Sequence, residues 1–291
     1  MSAFTLLDGA MGGELQRRGF AKDDSIWSGF ALVNHPDEVT KVHDEYLAAG
    51  ADVIITSNYG VVPVMLAKEG MENRLAELTK LSVACAETAR QKSGRSEVEI
   101  AGSLPPLEMS YRPDMVQNEE IMCQSYQAIT HALAPGVDLF ITETLSTIRE
   151  ARAAARAVAG YDKPFWLSMS LDKAADGTLR GGKGMQELVA ALADFRVDAF
   201  LFNCCSVEAI SVALPIMRQQ TDKPIGAYAN AFGRMPEKYV MGQTGLGMRE
   251  DLSAGEYLIL AQAWRDMGAT IIGGCCGIGP DHIALMNTKL R

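Results

Sequence analysis

"ATIIGGCC", residues 269–276, ends a short apolar run with paired glycines and two adjacent cysteines. A continuous apolar run, rather than an alternating one, is typical of a parallel strand that is covered on both faces. Neighbouring side chains on a strand point to opposite faces, so Cys275 and Cys276 can reach one target only where the strand has ended. Gly273 and Gly274 permit the backbone angles that such an ending needs. The stretch therefore predicts a parallel strand whose carboxyl end presents two thiols.

Seven similar runs precede this one along the chain. The runs are FTLLD (4–8), ADVIITS (51–57), EIAGSL (99–104), VDLFITE (137–143), PFWLSMS (164–170), DAFLFNC (198–204) and PIGAYAN (224–230). Helical patterns lie between them, and several end at a glycine, which is an ordinary helix stop. Eight strand–helix repeats predict an α/β protein with a single (β/α)8 TIM barrel, and we expect residues 1–291 to form one domain of eight strands and eight helices. An open doubly wound sheet is the alternative, but its Gly-x-Gly-x-x-Gly turn is absent after the first run.

The composition, 48% hydrophobic and 22% charged, is that of a globular protein. A net charge of -9 argues against a surface for nucleic acid or for an anionic membrane. The first residues lack the features of a signal peptide, and no apolar run approaches the roughly 18–20 residues of a membrane span. We therefore expect a cytoplasmic protein that acts on small molecules, with no nucleic-acid or membrane partner. The sequence leaves a homo-oligomer open.

Polar residues follow nearly every predicted strand, at the end where barrel enzymes place their chemistry. In chain order these residues are Asp8, Ser57, Asn58, Ser103, Glu143, Ser170, Asn203, Cys204, Asn230, Cys275 and Cys276. Loops need polar residues in any fold, so their presence alone says little. Their identity says more, because two are carboxylates and the sixth and eighth strands both end in thiols.

The thiols at the ends of the sixth and eighth strands suit a metal site. Both strands are even-numbered, so their inward side chains can share a layer of the barrel. Three thiolates at about 2.3 Å hold zinc and leave its fourth tetrahedral position open, as catalytic zinc sites require. The alternative is that these cysteines are buried core thiols, which is our interpretation of Cys85 and Cys123. The CxxC pairs of small structural zinc modules are absent.

Three segments resemble the homocysteine S-methyltransferase family: LLDGAMGGELQRRG (6–19), FNCCS (202–206) and GGCCGIGPDHI (273–283). Their order and spacing match along essentially the full chain. The resemblance implies a (β/α)8 barrel that binds zinc through Cys204, Cys275 and Cys276 and methylates the thiol of homocysteine to give methionine. Cys205 follows the matched Asn-Cys and is expected to be a spectator.

The proposed acceptor carries an ammonium and a carboxylate besides its thiol. Asp8 and Glu143 are strand-end acids suited to the ammonium, and the resemblance places amine-binding carboxylates at both positions. The alternative for each is a capping or loop acid. The remaining candidates for substrate contacts are hydroxyl and amide side chains, namely Ser57, Asn58, Ser103 and Asn203.

A bound substrate thiolate needs no acid or base to attack a methyl group on a positive sulfur or nitrogen. Zinc deprotonates a coordinated thiol, and the thiolate is the nucleophilic form. We expect S-methylmethionine or S-adenosylmethionine as the donor, with betaine or another onium compound second. The loops at 103–115 and 227–242 differ from the common family pattern, and such loops shape barrel pockets. They leave the donor open, and also whether the acceptor is homocysteine or a related thiol or selenol.

Two functions of other classes remain as alternatives. One is a zinc barrel that binds thiols as a sensor without catalysis. The other is a metal-free lyase or aldolase, which needs a lysine at a strand end. Lys173 and Lys183 lie instead in the loop after the fifth predicted strand, which argues against this alternative.

Overall fold

The computed structural model describes residues 4–20, 26, 28–172, 174–232 and 247–291. Its strands are β1 (Thr5–Leu6), β2 (Val53–Ile55), β3 (Glu99–Leu104), β4 (Leu139–Thr142), β5 (Phe165–Met169), β6 (Ala199–Asn203), β7 (Ile225–Tyr228) and β8 (Ala269–Ile272). They form one parallel sheet in the order β1-β8-β7-β6-β5-β4-β3-β2. A bridge between Leu7 and Val53 joins the two edge strands, so the sheet is nearly closed into a barrel. The predicted fold class is confirmed.

Helices alternate with the strands. Those in the described ranges are α1 (Met11–Arg17), α2 (Gly29–Asn34), α3 (Pro36–Ala49), α4 (Pro63–Lys68), α5 (Leu75–Ser93), α6 (Glu119–Leu133), α7 (Ile148–Val158), α8 (Met185–Ala191), α9 (Val207–Arg218), α10 (Ala254–Asp266) and α11 (Pro280–Leu290). The eight expected helices are present. The short helices α1, α2 and α4 are additional to these eight and lie within the loops that follow β1 and β2.

The alternation of side chains on the strands divides the core in two. One small cluster fills the inside of the barrel, with residues two apart on the same strand, such as Leu139 and Ile141 or Ala199 and Leu201. The residues between them, such as Phe140 and Phe200, belong to the larger cluster that packs the sheet against the helices. This explains why the runs are apolar throughout, since both faces of each strand are buried.

The strands are shorter than the apolar runs that predict them. β8 ends at Ile272, so the paired glycines and both cysteines lie beyond the strand, where its alternation no longer applies. Capping fixes where several helices begin and end: Thr147 and Glu150 form a capping box at α7, and α3 ends at Gly50 with φ +101°. None of the described helices combines the length and apolar character needed to cross a membrane.

Candidate active site

Cys204, Cys275 and Cys276 converge at the carboxyl end of the barrel. The sulfurs of Cys204 and Cys276 are 3.9 Å apart, and all three sulfurs lie within 4.8 Å of one another. Cys204 follows β6 and the other two follow β8, so the even-numbered strands bring the thiols together as the sequence indicates. One metal ion could be held by this group.

The backbone after β8 shows how two adjacent cysteines face one point. Gly273 and Gly274 leave no room for a side chain, since a Cβ on Gly273 would lie 2.4 Å from Leu7 Cβ. The chain then runs beside the end of β7, where the Cys275 N–H donates to the Ala229 carbonyl at 2.8 Å. Gly277 has a φ of +84°, which turns the chain away immediately after the second cysteine. Of the three glycines only Gly277 has a positive φ, so the backbone freedom expected of Gly273 and Gly274 is not what the structure uses; both are needed for the close approach of their neighbours.

The pKa values of the three thiols are shifted in opposite directions. The pKa of Cys204 is lowered well below its ordinary value, chiefly because the thiols of Cys275 and Cys276 donate hydrogen bonds to its sulfur. The pKa values of those two thiols are raised, because each is hydrogen-bonded to the Cys204 sulfur. A single negative charge is thus favoured in the protein alone. Three thiolates at this spacing need a cation among them.

Cys205 points elsewhere. It belongs to the core cluster between the sheet and the helices, and burial raises the pKa of its thiol to about 12. Its neighbour Cys204 has a φ of +51°, which is uncommon for a residue other than glycine and turns its side chain out of the strand alternation.

Asp8 and Glu143 are two enclosed carboxylates near the thiols. Asp8 accepts a hydrogen bond from the Ile55 N–H at 2.8 Å, and burial raises its pKa well above its ordinary value, with the charge of Glu143 adding to the shift. Glu143 accepts one from the Ser103 hydroxyl, and burial raises its pKa to about 7, with the charge of Cys204 adding to the shift. Within the described ranges neither carboxylate forms an ion pair. A positive charge placed beside the two carboxylates would therefore stabilise their charged forms.

The predicted hydroxyl and amide groups differ in how far they are engaged. Asn58 donates to the Ser103 carbonyl at 3.0 Å and accepts from Thr56 Oγ1 at 2.7 Å. The Asn203 amide bonds Thr144 and Ser168. The Ser57 hydroxyl is buried and has no partner among the described residues. Ser57 is therefore the member of this group with unused hydrogen-bonding capacity.

Two tyrosines near the thiols were missed. Tyr111, in the loop after β3, is 5% exposed and hydrogen-bonds the Cys204 sulfur, while the Arg180 guanidinium lies 5.4 Å from the centre of its ring. Tyr59 bonds Ser110 Oγ at 2.7 Å, and burial raises its pKa, with the nearby Cys204 charge adding to the shift. Tyr59 directly follows the strand-end residue Asn58, which is a signal that could have found it. Tyr111 offers no such signal in sequence.

The structure describes only part of the variant loop at 227–242 and one of the two loop lysines. Most of the variant loop at 227–242, from 233 onward, and Lys173 lie outside the described residues. Lys183 is described, and its ammonium pairs with Glu187 Oε1 at 2.7 Å with 60% of the side chain exposed. An exposed, paired lysine is not activated as a lyase or aldolase requires.

Comparison with known proteins gives consistent results. A family model described as homocysteine S-methyltransferase matches residues 5–290. The chain is 31% identical over 301 residues to the Homocysteine S-methyltransferase of Escherichia coli (strain K12), covering 98% of this chain and 94% of that one. It is 30% identical over 297 residues to Homocysteine S-methyltransferase YbgG of Bacillus subtilis (strain 168), covering 96% and 91%. The metallated form of the homocysteine methyltransferase MmuM from Escherichia coli superposes with a TM-score of 0.83 at 28% identity, covering 99% and 96%.

Proposed function

The chain belongs to the homocysteine S-methyltransferase family, and on that premise we propose that it moves a methyl group from an onium donor to the thiol of homocysteine, which gives methionine. The observation that carries this proposal is the convergence of three cysteine sulfurs within 4.8 Å, beside two enclosed carboxylates. The sulfurs suit a metal that binds a thiol, and the carboxylates suit an ammonium. An amino acid with a thiol has both groups.

Zinc is the ion that fits the donor set best. Two zinc–sulfur bonds of about 2.3 Å at the tetrahedral angle place their sulfurs about 3.8 Å apart, and those of Cys204 and Cys276 are 3.9 Å apart. Cys204, Cys275 and Cys276 would hold the ion, and its charge would allow all three to be thiolates. Zinc bound there keeps a coordinated substrate thiol in its deprotonated, nucleophilic form.

Asp8 and Glu143 recognise the ammonium of the acceptor. Burial is the main cause of their raised pKa values, so a positive charge beside them stabilises the charged form of each carboxylate. An ammonium placed between them restores the charged form of both. Ser103 and the Ile55 N–H hold the two carboxylates in place for this contact.

The acceptor carboxylate needs hydrogen-bond donors on the opposite side of its α-carbon. The Ser57 hydroxyl, which is buried with no protein partner in the described ranges, serves as one such donor. The Asn58 amide is engaged with Thr56 and Ser103, so its part is to hold the end of β2 in place.

Methyl transfer then forms one bond and breaks one. The acceptor sulfur bonds to the methyl carbon, and the bond from that carbon to the positive sulfur or nitrogen of the donor breaks with its electron pair staying on the donor. The thiol proton leaves to solvent. We propose S-methylmethionine or S-adenosylmethionine as the donor, and betaine as the alternative, since all three bring the positive charge that this step neutralises. We also propose that residues 1–291 act as one domain, because β1 and β8 pair across the two ends of the chain.

Turnover with isotope-labelled homocysteine tests this function. Label in methionine, measured by mass spectrometry with S-methylmethionine, S-adenosylmethionine or betaine in turn, identifies both the activity and the donor. Cys204→Ala should abolish both bound zinc and turnover, whereas Cys205→Ala, its neighbour in the helix-side core, should keep them. Stoichiometric zinc with homocysteine binding but no labelled methionine from any donor would favour the sensor instead.

A further inference from the structure

Asn203, the last residue of β6, is completely buried, and its side chain is bonded on both sides. Its oxygen accepts hydrogen bonds from the Thr144 N–H at 2.7 Å and from the Ser168 hydroxyl at 2.8 Å. Its nitrogen donates to Thr144 Oγ1 at 3.0 Å. One amide therefore links the carboxyl ends of β4, β5 and β6, and we call these three residues the strand clamp.

The strand clamp holds an unfavourable backbone conformation. Thr144 has a φ of +59°, although it is β-branched and such residues are genuine outliers there. This conformation persists only where the surroundings over-determine it, and the two bonds from Asn203 to the Thr144 backbone and hydroxyl do so. Cys204, which directly follows Asn203, has a φ of +51°. Each end of the clamp thus lies next to a residue of the active site.

Those neighbours are the two groups between which the acceptor must fit. Glu143 directly precedes Thr144 and carries the proposed ammonium contact. Cys204 directly follows Asn203 and carries one of the sulfurs. A change in the clamp therefore alters the separation between the Glu143 carboxylate and the thiol cluster.

Resting on the proposed function, we propose that Asn203 is a positioning residue that sets this separation and thereby selects the length of the acceptor. It acts through Thr144 and does not contact the substrate. Homocysteine and cysteine differ by one methylene between the α-carbon and sulfur, so a rigid separation that suits the first leaves the second short of one contact. A pocket can discriminate one methylene by about 10–200-fold. The strand clamp is what keeps the barrel rigid enough for such discrimination.

The test compares the affinities of the zinc-loaded protein for homocysteine and for cysteine by titration calorimetry. In Asn203→Ala we expect the homocysteine affinity to fall about tenfold and the cysteine affinity to fall much less, so that the preference drops by about the same factor. Thr144→Ala removes one of the three clamp bonds, together with the hydroxyl contacts to Cys204 and Tyr59, and keeps the backbone bond. Thr144→Ala should lower the preference for homocysteine over cysteine by a smaller factor than Asn203→Ala. It provides the second test of the proposal if Asn203→Ala does not fold.

Asn118→Ala is the matched control. Asn118 is also an asparagine that accepts a backbone N–H, from Glu120 at 2.8 Å, but it caps α6 and has no contact with the strand clamp. It should lower the melting temperature and leave the preference unchanged. An unchanged preference in folded Asn203→Ala or Thr144→Ala, or loss of zinc together with both affinities, overturns the proposal. The readout is affinity, so the test can be carried out even if the protein shows no turnover. Absence of turnover would count against the proposed function and not against this proposal.

Discussion

Glu143→Gln removes a carboxylate whose proton must leave before an ammonium can bind. Burial raises the pKa of Glu143 to about 7, against an ordinary value of 4.5, so in the ligand-free protein this carboxyl is mostly protonated at pH 6 and mostly ionised at pH 8. Binding of the ammonium favours the charged form and expels that proton. The thiol of homocysteine releases a further proton when it binds zinc.

The assay counts protons and does not depend on affinity. Titration calorimetry of the zinc-loaded protein with homocysteine, repeated in buffers of different ionisation enthalpy, gives the number of protons released per ligand bound. At pH 6 we expect fewer protons released by Glu143→Gln than by the unsubstituted protein, and at pH 8 a much smaller difference. The affinity should also fall by roughly 1.5–3 kcal/mol, the value of one charged hydrogen bond.

Ser103→Ala serves as the control for the origin of this proton. The Ser103 hydroxyl donates to Glu143 and lowers its pKa, so its loss should raise that pKa and move the extra proton release to higher pH. Equal proton counts at pH 6 for Glu143→Gln and the unsubstituted protein would refute the assignment of Glu143 as an ammonium ligand.

Three further predictions concern the metal, the contact between β1 and the end of β8, and the stability of the protein in acid. Homocysteine should add one zinc–sulfur contact near 2.3 Å to the X-ray absorption spectrum, and homoserine should not; a spectrum indifferent to homocysteine would contradict the open position. Gly273→Ala should lower the free energy of unfolding by about 1–3 kcal/mol in urea denaturation, because its Cβ would lie 2.4 Å from Leu7 Cβ, beside the paired strands β1 and β8; an unchanged midpoint would show that these strand ends adjust. His43 is fully buried, neither of its ring nitrogens has a hydrogen-bond partner among the described residues, and burial lowers its pKa to about 3 from 6.5. Below pH 6.5 the imidazole of His43 is protonated in the unfolded chain but stays neutral in the folded protein, so the stability of the protein decreases as the pH is lowered. The free energy of unfolding of His43→Leu, relative to that of the unsubstituted protein, should therefore increase by about 2 kcal/mol from pH 7 to pH 5. A difference that does not change with pH would contradict this prediction.

The fold could be predicted because its signal is repeated and chemically simple. Each strand is buried on both faces, which makes every run apolar, and a glycine such as Gly50 ends a helix before the next run. The short helices α1, α2 and α4 could not be predicted in the same way. They lie in loops on the strand-end side of the barrel, where contacts with neighbouring loops, rather than a long periodic pattern, determine the local structure.

The thiols and carboxylates of the candidate site could be singled out in the sequence because their chemistry is unusual at the ends of apolar strands, whereas the backbone conformation around them could not be predicted. Of the four described residues other than glycine with positive φ, Tyr111 hydrogen-bonds the Cys204 sulfur, Thr144 follows Glu143, and Cys204 is itself in the cluster. No local preference of tyrosine, threonine or cysteine favours that conformation. Tertiary contacts impose it, and the bond from the Thr144 N–H to Asn203 spans 59 positions of sequence. Strain concentrated at one end of a barrel marks a functional site on physical grounds alone, so the backbone points to the same place as the thiols without any appeal to relatives.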